Sequence, residues 1–314
     1  MSRPLLVEIA VCTYRRSSLS HTLASIAAIA VPEQAVLRII VADNDVEESA
    51  RDAVEAIRAK IVHQVIYLHC PAGNISIARN ACLDRATGDY LAFVDDDELV
   101  TPGWLTALLA TAKQTNAAAV LGPVSARYGK DAPAFMVEGD FHSTKPVFVN
   151  GEIKTGYTCN LLLDRNAEAF RDRRFDLALG RCGGEDTAFL ADLHATGGKI
   201  AFADKALVIE PVAEERASIG WLAGRRFRSG QSHARVLRTT AAAPGLALQI
   251  VLAALKALVC FAVSLVLWFL PVDRWRYVLR GILHLGVVAG LLGVREAMHY
   301  GGPVPAERSN PHVA

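Results

Sequence analysis

The stretch Leu91-Ala92-Phe93-Val94-Asp95-Asp96-Asp97-Glu98 runs four apolar residues straight into four acidic ones. Adjacent carboxylates repel one another. A hard divalent cation held through oxygen relieves that repulsion, so the run predicts a site for Mg²⁺ or Mn²⁺, which would meet a diphosphate. Successive side chains of an extended segment point to opposite sides, so Asp95 and Asp97 are expected to face one pocket and Asp96 to face elsewhere. A solvated acidic turn ahead of the next helix accounts for the same residues, but their place behind a buried strand favours the metal.

Three other segments carry usable groups. In Gly73-Asn74-Ile75-Ser76-Ile77-Ala78-Arg79-Asn80 a glycine precedes a helix and Arg79 lies one turn inside it, suited to paired hydrogen bonds with a phosphate or a base edge, or to a simple pair with Asp84. In Gly183-Gly184-Glu185-Asp186 the glycines let the backbone approach a ligand, while acidic side chains are favoured at a helix start for electrostatic reasons alone. Arg225-Arg226-Phe227-Arg228, with Arg235 and Arg238 beyond, reads as a basic stripe for anionic lipid, a phosphate-binding cluster, or both. His69, His194 and His233 lack metal-ligand spacing.

Short apolar runs at 6–11, 37–42, 64–68, 90–94 and 118–122 alternate with amphipathic runs at 18–30, 49–60, 75–86 and 102–115. That alternation predicts an α/β fold with a mostly parallel central sheet and flanking helices. Thr101 and Pro102 read as N-cap and first residue of the fourth helix. Ligands of such sheets bind beyond the carboxyl ends of the strands. Thr13-Tyr14-Arg15, Asp43-Asn44-Asp45 and Asp95-Asp96-Asp97 each follow a strand, so the three clusters should share one rim. Residues 125–156 lose periodicity and read as a long loop or irregular insertion. Strands are expected again at 157–163, 199–202 and 206–209, with a helix at 185–195.

Residues 244–270 are almost wholly apolar, and 278–294 form a second apolar stretch; each approaches the ~20 residues that span a bilayer. The connecting segment 271–276 carries Arg274 and Arg276, with Arg280 just beyond, which disfavours placing it on the far side of the membrane from cytoplasmic chain ends. A shallow or re-entrant hairpin with its arginines among anionic headgroups is the preferred reading, and a buried helical pair the alternative.

Lysine and arginine total 33 against 32 acidic residues, a net charge of +1 that gives no global attraction to nucleic acid. The six cysteines form no C-x-x-C pair, and the first residues lack the basic start and long apolar core of a signal peptide, so the catalytic part is expected in the cytoplasm.

Taken in order, Val11-Cys12-Thr13-Tyr14-Arg15-Arg16, Val41-Ala42-Asp43-Asn44, Ala78-Arg79-Asn80, the aspartate triplet, Trp104-Leu105 and Gly184-Glu185-Asp186 resemble the family 2 inverting glycosyltransferases of the GT-A fold. The chain also looks like the bacterial exopolysaccharide branch typified by succinoglycan enzymes, which extend a glycan on a polyprenyl diphosphate carrier. It implies a GT-A catalytic domain over 1–240, divided into a nucleotide-sugar half (1–124) and an acceptor half (125–240), then a membrane-associated helical hairpin (241–300) and a polar tail (301–314).

The same resemblance implies roles. Thr13 and Arg15 would line the nucleotide pocket and Asp43 would hydrogen-bond uracil. Arg79 would lie near the base and diphosphate, Asp95 near the ribose with Asp96 beside it, and Asp97 would bind the metal. Asp186 would be the catalytic base with Glu185 as its neighbour, and Arg225, Arg226 and Arg228 would face the diphosphate. Many relatives place a metal-binding histidine late in the domain; here Glu210 stands in that position. Implied partners are a UDP-sugar donor, a polyprenyl-diphosphate-linked glycan acceptor and membrane lipid at the cytoplasmic face, and homo-oligomer formation is left open. A sugar nucleotidyltransferase is the rival enzyme class, but it wants a Gly-rich early loop, and the turn after the first strand has no glycine. A nucleotide-binding membrane scaffold without chemistry is the non-enzymatic alternative.

Overall fold

A computed structural model describes residues 3–240 and 243–294. β1 (Leu5–Thr13) is flanked in parallel by β2 (Ala35–Asp43) and β4 (Tyr90–Asp95), with β3 (Gln64–His69) parallel outside β2. Because side chains alternate along a strand, β1 sends Val7, Ile9 and Val11 to one buried face and Ala10 to the other. The first face is covered by α1 (Leu19–Ala27), α2 (Arg51–Arg58) and α4 (Trp104–Thr115), the second by α3 (Ile75–Arg85) and α6 (Glu185–Ala195). Each fully buried aliphatic side chain contributes about 1.5–3 kcal/mol by leaving water.

β10 (Asn160–Asp164) runs antiparallel between β4 and β6 (Ala119–Leu121), and β11 (Ile200–Phe202) closes the seven-stranded sheet parallel to β6. A second sheet joins β5 (Leu99–Val100), β12 (Val208–Pro211) and β7 (Val124–Arg127). The segment expected to be irregular thus begins with β7 and also holds α5 (Ala134–Gly139), β8 (Phe148–Val149) and β9 (Glu152–Ile153). These elements are too short to show periodicity in sequence.

Two helix starts illustrate local control. Asn74 caps α3, its Oδ1 accepting from the N–H groups of Ser76 (3.0 Å) and Ile77 (3.3 Å). The expected Thr101 cap does not form. The Thr101 hydroxyl donates instead to the Leu207 carbonyl at 2.9 Å, and α4 begins at Trp104, whose Nε1 donates to the Asn160 Oδ1 at 2.8 Å. Tertiary partners outcompete the cap and set the helix origin.

Three long helices follow: α7 (Ile219–Thr240), α8 (Ala243–Val266) and α9 (Pro271–Leu291). Arg274 and Arg276, expected in a connecting loop, lie in the first turns of α9, which opens on Pro271. α9 packs against α7 through glycines. A Cβ at Gly286 would fall inside contact distance of the Phe227 carbonyl oxygen, and one at Gly230 would meet the Leu283 carbonyl. Leu279 also joins Leu222, Met136 and Phe141 in one buried cluster. α9 thus packs on both α7 and α5 across the boundary expected at residue 240. The polar tail at 301–314 lies outside the described residues.

Among the described residues one helix, Gly245–Val266, is long and apolar enough to cross a membrane, with a mean hydropathy of 2.4 and only 17% of its apolar window buried. The second apolar stretch instead buries Leu279, Gly281, Gly286 and Val287.

Gly286→Ala should lower the thermal midpoint, because the added methyl meets backbone rather than a movable side chain; overpacking of this kind costs about 1–3 kcal/mol. Differential scanning calorimetry checks it. An unchanged midpoint would mean that α7 and α9 can part freely.

Candidate active site

The carboxyl ends of β1, β2 and β4 open into a cleft of about 530 Å³, crossed on its far side by the first turns of α7. β4 delivers Asp95, after which the chain turns instead of running on, the Glu98 N–H donating to the Asp95 carbonyl at 3.3 Å. The expected alternation stops there. Asp95, Asp96, Asp97 and Glu98 all line the cleft, so the placing of Asp96 away from the pocket is corrected by the turn.

The resulting electrostatics are strained. Burial pushes Asp95 up to about 7, assisted by Asp97, Asp96 and Glu210 and opposed by Arg79. Burial likewise pushes Asp96 up to about 6, with the Thr13 hydroxyl and Arg16 pulling the other way. Glu98, buried and beside Asp95, lies well above the usual carboxylate range. Glu210 on β12 is raised by burial and by Asp97, against Arg225 and Arg216.

Cations face these acids. The Arg216 guanidinium bridges Asp97 (3.1 Å) and Glu210 (3.0 Å), and Arg16 lies 3.7 Å from Asp97 and 3.8 Å from Asp96. Arg15, at a positive φ of 54°, donates from Nε to both oxygens of Asp45 at 2.9 Å. Arg225 reaches across from α7, its guanidinium 5.5 Å from the Trp221 ring centroid and donating to the Thr144 hydroxyl at 3.3 Å. Arg228, one turn on, lines the same cleft.

Arg79 sits buried behind this floor, paired with Glu185, 3.9 Å from Asp95 and with its guanidinium 5.6 Å from the Phe175 ring centroid. Burial opposes its charge, but Glu185, Asp95 and Asp186 outweigh it and hold Arg79 protonated. Gly183 and Gly184 adopt φ of 90° and 87°, the left-handed region open to glycine, and so deliver Glu185 and Asp186 at the start of α6. Glu185 is locked by Arg79, whereas Asp186 is half-buried, its Oδ1 accepting from the Thr187 N–H at 2.6 Å. Burial, then Glu185, lifts Asp186 to about 6, opposed by Arg79. Asp186 is not at the cleft wall but acts electrostatically on two wall residues, Arg79 and Cys159.

Besides Glu185 and Asp186, two further expected residues, Asp43 and Arg226, do not line the cleft. Asp43 is fully buried; its Oδ2 accepts from the Ala50 N–H and the Tyr67 hydroxyl, both at 2.8 Å, and its Oδ1 from the Asp45 N–H at 3.1 Å. With both oxygens engaged internally it shapes the loop, and its neighbour Asn44 lines the cleft in its place. Arg226 is rotated about 100° around α7 from Arg225, a consequence of the 3.6-residue period, and faces Arg280 instead. Burial, then Arg225 and Arg280, lowers its pKa.

Sequence reasoning also passed over Arg216, Trp221 and His142. His142 is buried, bonded through its ring nitrogens to the Tyr128 hydroxyl and the Arg216 carbonyl, both at 3.0 Å, and stacked on Trp221. It fixes the turn that aims Arg216. None of the three falls in a recognisable local pattern; only Arg16, inside the first polar cluster, carried a signal.

Residues 8–170 match the family model described as "Glycosyl transferase family 2". The chain belongs to that family. This family 2 glycosyltransferase is 55% identical over 295 residues to the succinoglycan biosynthesis protein ExoM of Rhizobium meliloti (strain 1021), covering 94% of this chain and 96% of the relative. It is 28% identical to a glucosyl-dolichyl phosphate glucuronosyltransferase of Haloferax volcanii, over 72% of this chain and 75% of that one. Among solved structures it is similar to the mannosyltransferase PcManGT from Pyrobaculum calidifontis, in complex with GDP-Man and Mn²⁺, at TM-score 0.62 and 17% identity, covering 93% of this chain and 88% of that one. It is also similar to S. aureus TarS 1–349 in complex with UDP-GlcNAc, at TM-score 0.54 and 19% identity, over 74% and 72% of the two chains. These structural likenesses establish the GT-A fold. The family match ends before Glu185, Asp186 and the three long helices.

The acidic floor fits a divalent cation. Asp95, Glu98 and Cys159 bring ligand atoms within 4.8 Å of one another, and burial first, then neighbouring carboxylates, pushes Asp95 and Glu98 upward. Arg216 already supplies Asp97 and Glu210 with a shared positive charge. A cation would offset the cost of holding these close-set carboxylates ionised, and carboxylate oxygens are what Mg²⁺ or Mn²⁺ takes.

Proposed function

We propose that the glycosyltransferase moves a sugar, with inversion, from a UDP-sugar to a hydroxyl of a polyprenyl-diphosphate-linked glycan in exopolysaccharide assembly at the cytoplasmic membrane face. The observation that carries the reading is the meeting of Asp95, Asp97 and Glu210 with Arg15, Arg216, Arg225 and Arg228 around one cleft. Such a cleft has carboxylates for a metal and guanidiniums for a diphosphate. The names of the relatives, one in succinoglycan biosynthesis and one acting on a dolichyl phosphate sugar, support a lipid-borne acceptor. The TarS complex supports a UDP-sugar donor.

Thr13, Asn44 and Arg15 would hold the nucleoside, Asp95 and Asp96 the ribose side, and Arg225 and Arg228 the diphosphate. Asp97 and Glu210 would hold the metal, which when bound offsets charge developing on the leaving diphosphate. Asp186 takes the proton of the acceptor hydroxyl as that oxygen bonds to the anomeric carbon. The bond from that carbon to the phosphate oxygen breaks in the same displacement, and UDP leaves with the electron pair. One in-line step inverts the configuration, so an α-linked donor yields a β-glycoside.

Membrane attachment follows from the outer face of α8, where Leu248, Val251, Leu255, Leu258 and Val259 are exposed, with Trp268 and Phe269 at its end. α7 carries Arg225, Arg226, Arg228, Arg235 and Arg238 and is packed to α9 through glycines, so the trio is too polar to sink through hydrocarbon as a unit. α8 therefore lies against the bilayer with its apolar side in the interface.

Incubating the full chain with UDP-sugars, a polyprenyl-diphosphate glycan and Mn²⁺ or Mg²⁺ should release UDP and lengthen the glycan. Pyrophosphate release with no new glycoside would instead make the chain a nucleotidyltransferase.

A further inference from the structure

Outside the catalytic cleft, α8 packs chiefly on α9 and α9 on α7, leaving a trough of about 280 Å³ between α7 and α8 with α9 as its floor. Its polar groups are His233 from α7, Gln249 and Lys256 from α8 and His284 from α9; Leu237 and Val287 are among its apolar walls. Three different helices thus bring one basic group each to one place. Gln249, Ala253 and Lys256 follow the i, i+4, i+7 stripe of a helix, so the polar line is built into α8 although that helix is otherwise almost wholly apolar.

Among the described residues, Lys256 acts on both His233 and His284, Arg280 and His233 act on His284, and no carboxylate is among these groups. His233 and Lys256 are exposed and His284 half-buried; partial desolvation, and then Lys256, holds both imidazoles below their usual range. An ammonium and two imidazoles held together on a helix surface gain from an anion that accepts from all three, and the apolar walls beside them suit an acyl or prenyl chain.

We propose that this trough is a second, non-catalytic binding site for a lipid-borne phosphate, with the headgroup held by Lys256, His233 and His284 and the lipid chain lying along Leu237 and Val287. The inference rests on the interfacial placement of α8 and deepens it. The apolar outer face of α8 anchors the protein on any bilayer, and the trough selects lipids that expose a phosphate monoester or diphosphate. It would keep the enzyme where phosphorylated lipid carriers are concentrated.

Vesicle flotation of the full chain separates these layers. Phosphatidylcholine vesicles test the anchor; the same vesicles with phosphatidic acid test the trough, and binding should tighten by about tenfold or more on adding it. Lys256→Gln with His284→Gln should remove that gain while leaving phosphatidylcholine binding and UDP affinity unchanged, the latter showing that the variant is folded. Arg238→Gln, an exposed control on α7, should lose no more than about fivefold, as a nonspecific surface charge does. A double variant that keeps the gain, or an Arg238 variant that loses as much, overturns the site. Displacement from phosphatidic-acid vesicles by inorganic phosphate would assign the trough to a free anion and overturn the lipid. Failure to bind phosphatidylcholine at all would remove the anchor itself, a separate result. Independently of any variant, phosphatidic acid with a photoreactive acyl chain should label Leu237 and Val287; labelling confined to Leu258 and Leu265 on the outer face also overturns the proposal.

Discussion

Asp186→Asn is expected to slow single-turnover sugar transfer by about a hundredfold to ten-thousandfold at saturating donor and acceptor, the range typical for loss of a general base. Donor affinity should stay near that of the wild type, because Asp186 is not among the groups that line the donor cleft. The choice of Asp186 over Glu185 has a structural basis. Glu185 is 4% exposed and committed to Arg79, so it cannot turn toward an acceptor without stranding a buried guanidinium. Among the described residues each acid leaves one oxygen free of protein partners, but that of Glu185 is buried while Asp186 is half-buried, with Oδ1 on Thr187.

The two substitutions should therefore fail differently. Glu185→Gln breaks a buried charge pair and should cost about 3–5 kcal/mol of stability, read as a lower denaturant midpoint. Asp186→Asn should leave that midpoint little changed. Normal transfer by the Asp186 variant together with collapse of a folded Glu185 variant would give the base to Glu185.

The pH dependence has opposite signs in rate and stability. Burial, and next the neighbouring Glu185, raises Asp186 to about 6. A base works only when ionised, so transfer falls as pH drops through about 6, and Asp186→Asn removes that limb. A carboxyl raised in the fold binds more protons native than unfolded. Its contribution to stability is full below the unfolded value of about 3.9 and is lost as pH rises through about 6.

Asp97→Ala is expected to abolish metal-dependent donor binding, a loss of more than about a hundredfold, the upper end seen for outer-shell partners of a metal site. Asp97 shares Arg216 with Glu210, and Asp95 is already driven up to about 7 by burial and its acidic neighbours. With Asp97 gone, the remaining floor holds less negative charge and fewer oxygens. Asp96→Ala should be milder, because Asp96 faces Arg16 at 3.8 Å and lies outside the Arg216 bridge between Asp97 and Glu210. Titration calorimetry with UDP present checks both variants. Equal Mn²⁺ affinity in wild type and Asp97→Ala would remove Asp97 from the metal site.

Much of the fold was legible because strand and helix periods are local properties. The four parallel strands fall within a few residues of the expected runs, since Val, Ile and Leu clusters bounded by polar residues have few other uses. Elements fixed by distant partners were not legible. Thr101 has the chemistry of an N-cap, yet the Leu207 carbonyl claims its hydroxyl from 106 positions away. A strand at 206–209 was legible, but not that it pairs with β5 and β7 or that Glu210 would thereby meet Asp97 through Arg216.

By itself the sequence determined that this chain has a mostly parallel α/β sheet, that acidic and basic clusters follow its strands, and that an apolar helix lies near its C-terminus. Those are matters of residue type and short spacing, which the chain carries wherever it folds. Only the tertiary structure decided which way each group points. Asp43 turns inward because Ala50, Asp45 and Tyr67 satisfy both its oxygens, and Asn44 takes the cleft position. Arg225 and Arg228 reach the cleft while Arg226 does not, because one residue along a helix is a rotation of about 100°. Arg216 was invisible until the His142 ring and the Trp221 stack fixed its turn between two carboxylates. The direction of a side chain depends on partners far away in sequence, so composition and spacing could name the groups of this site but not aim them.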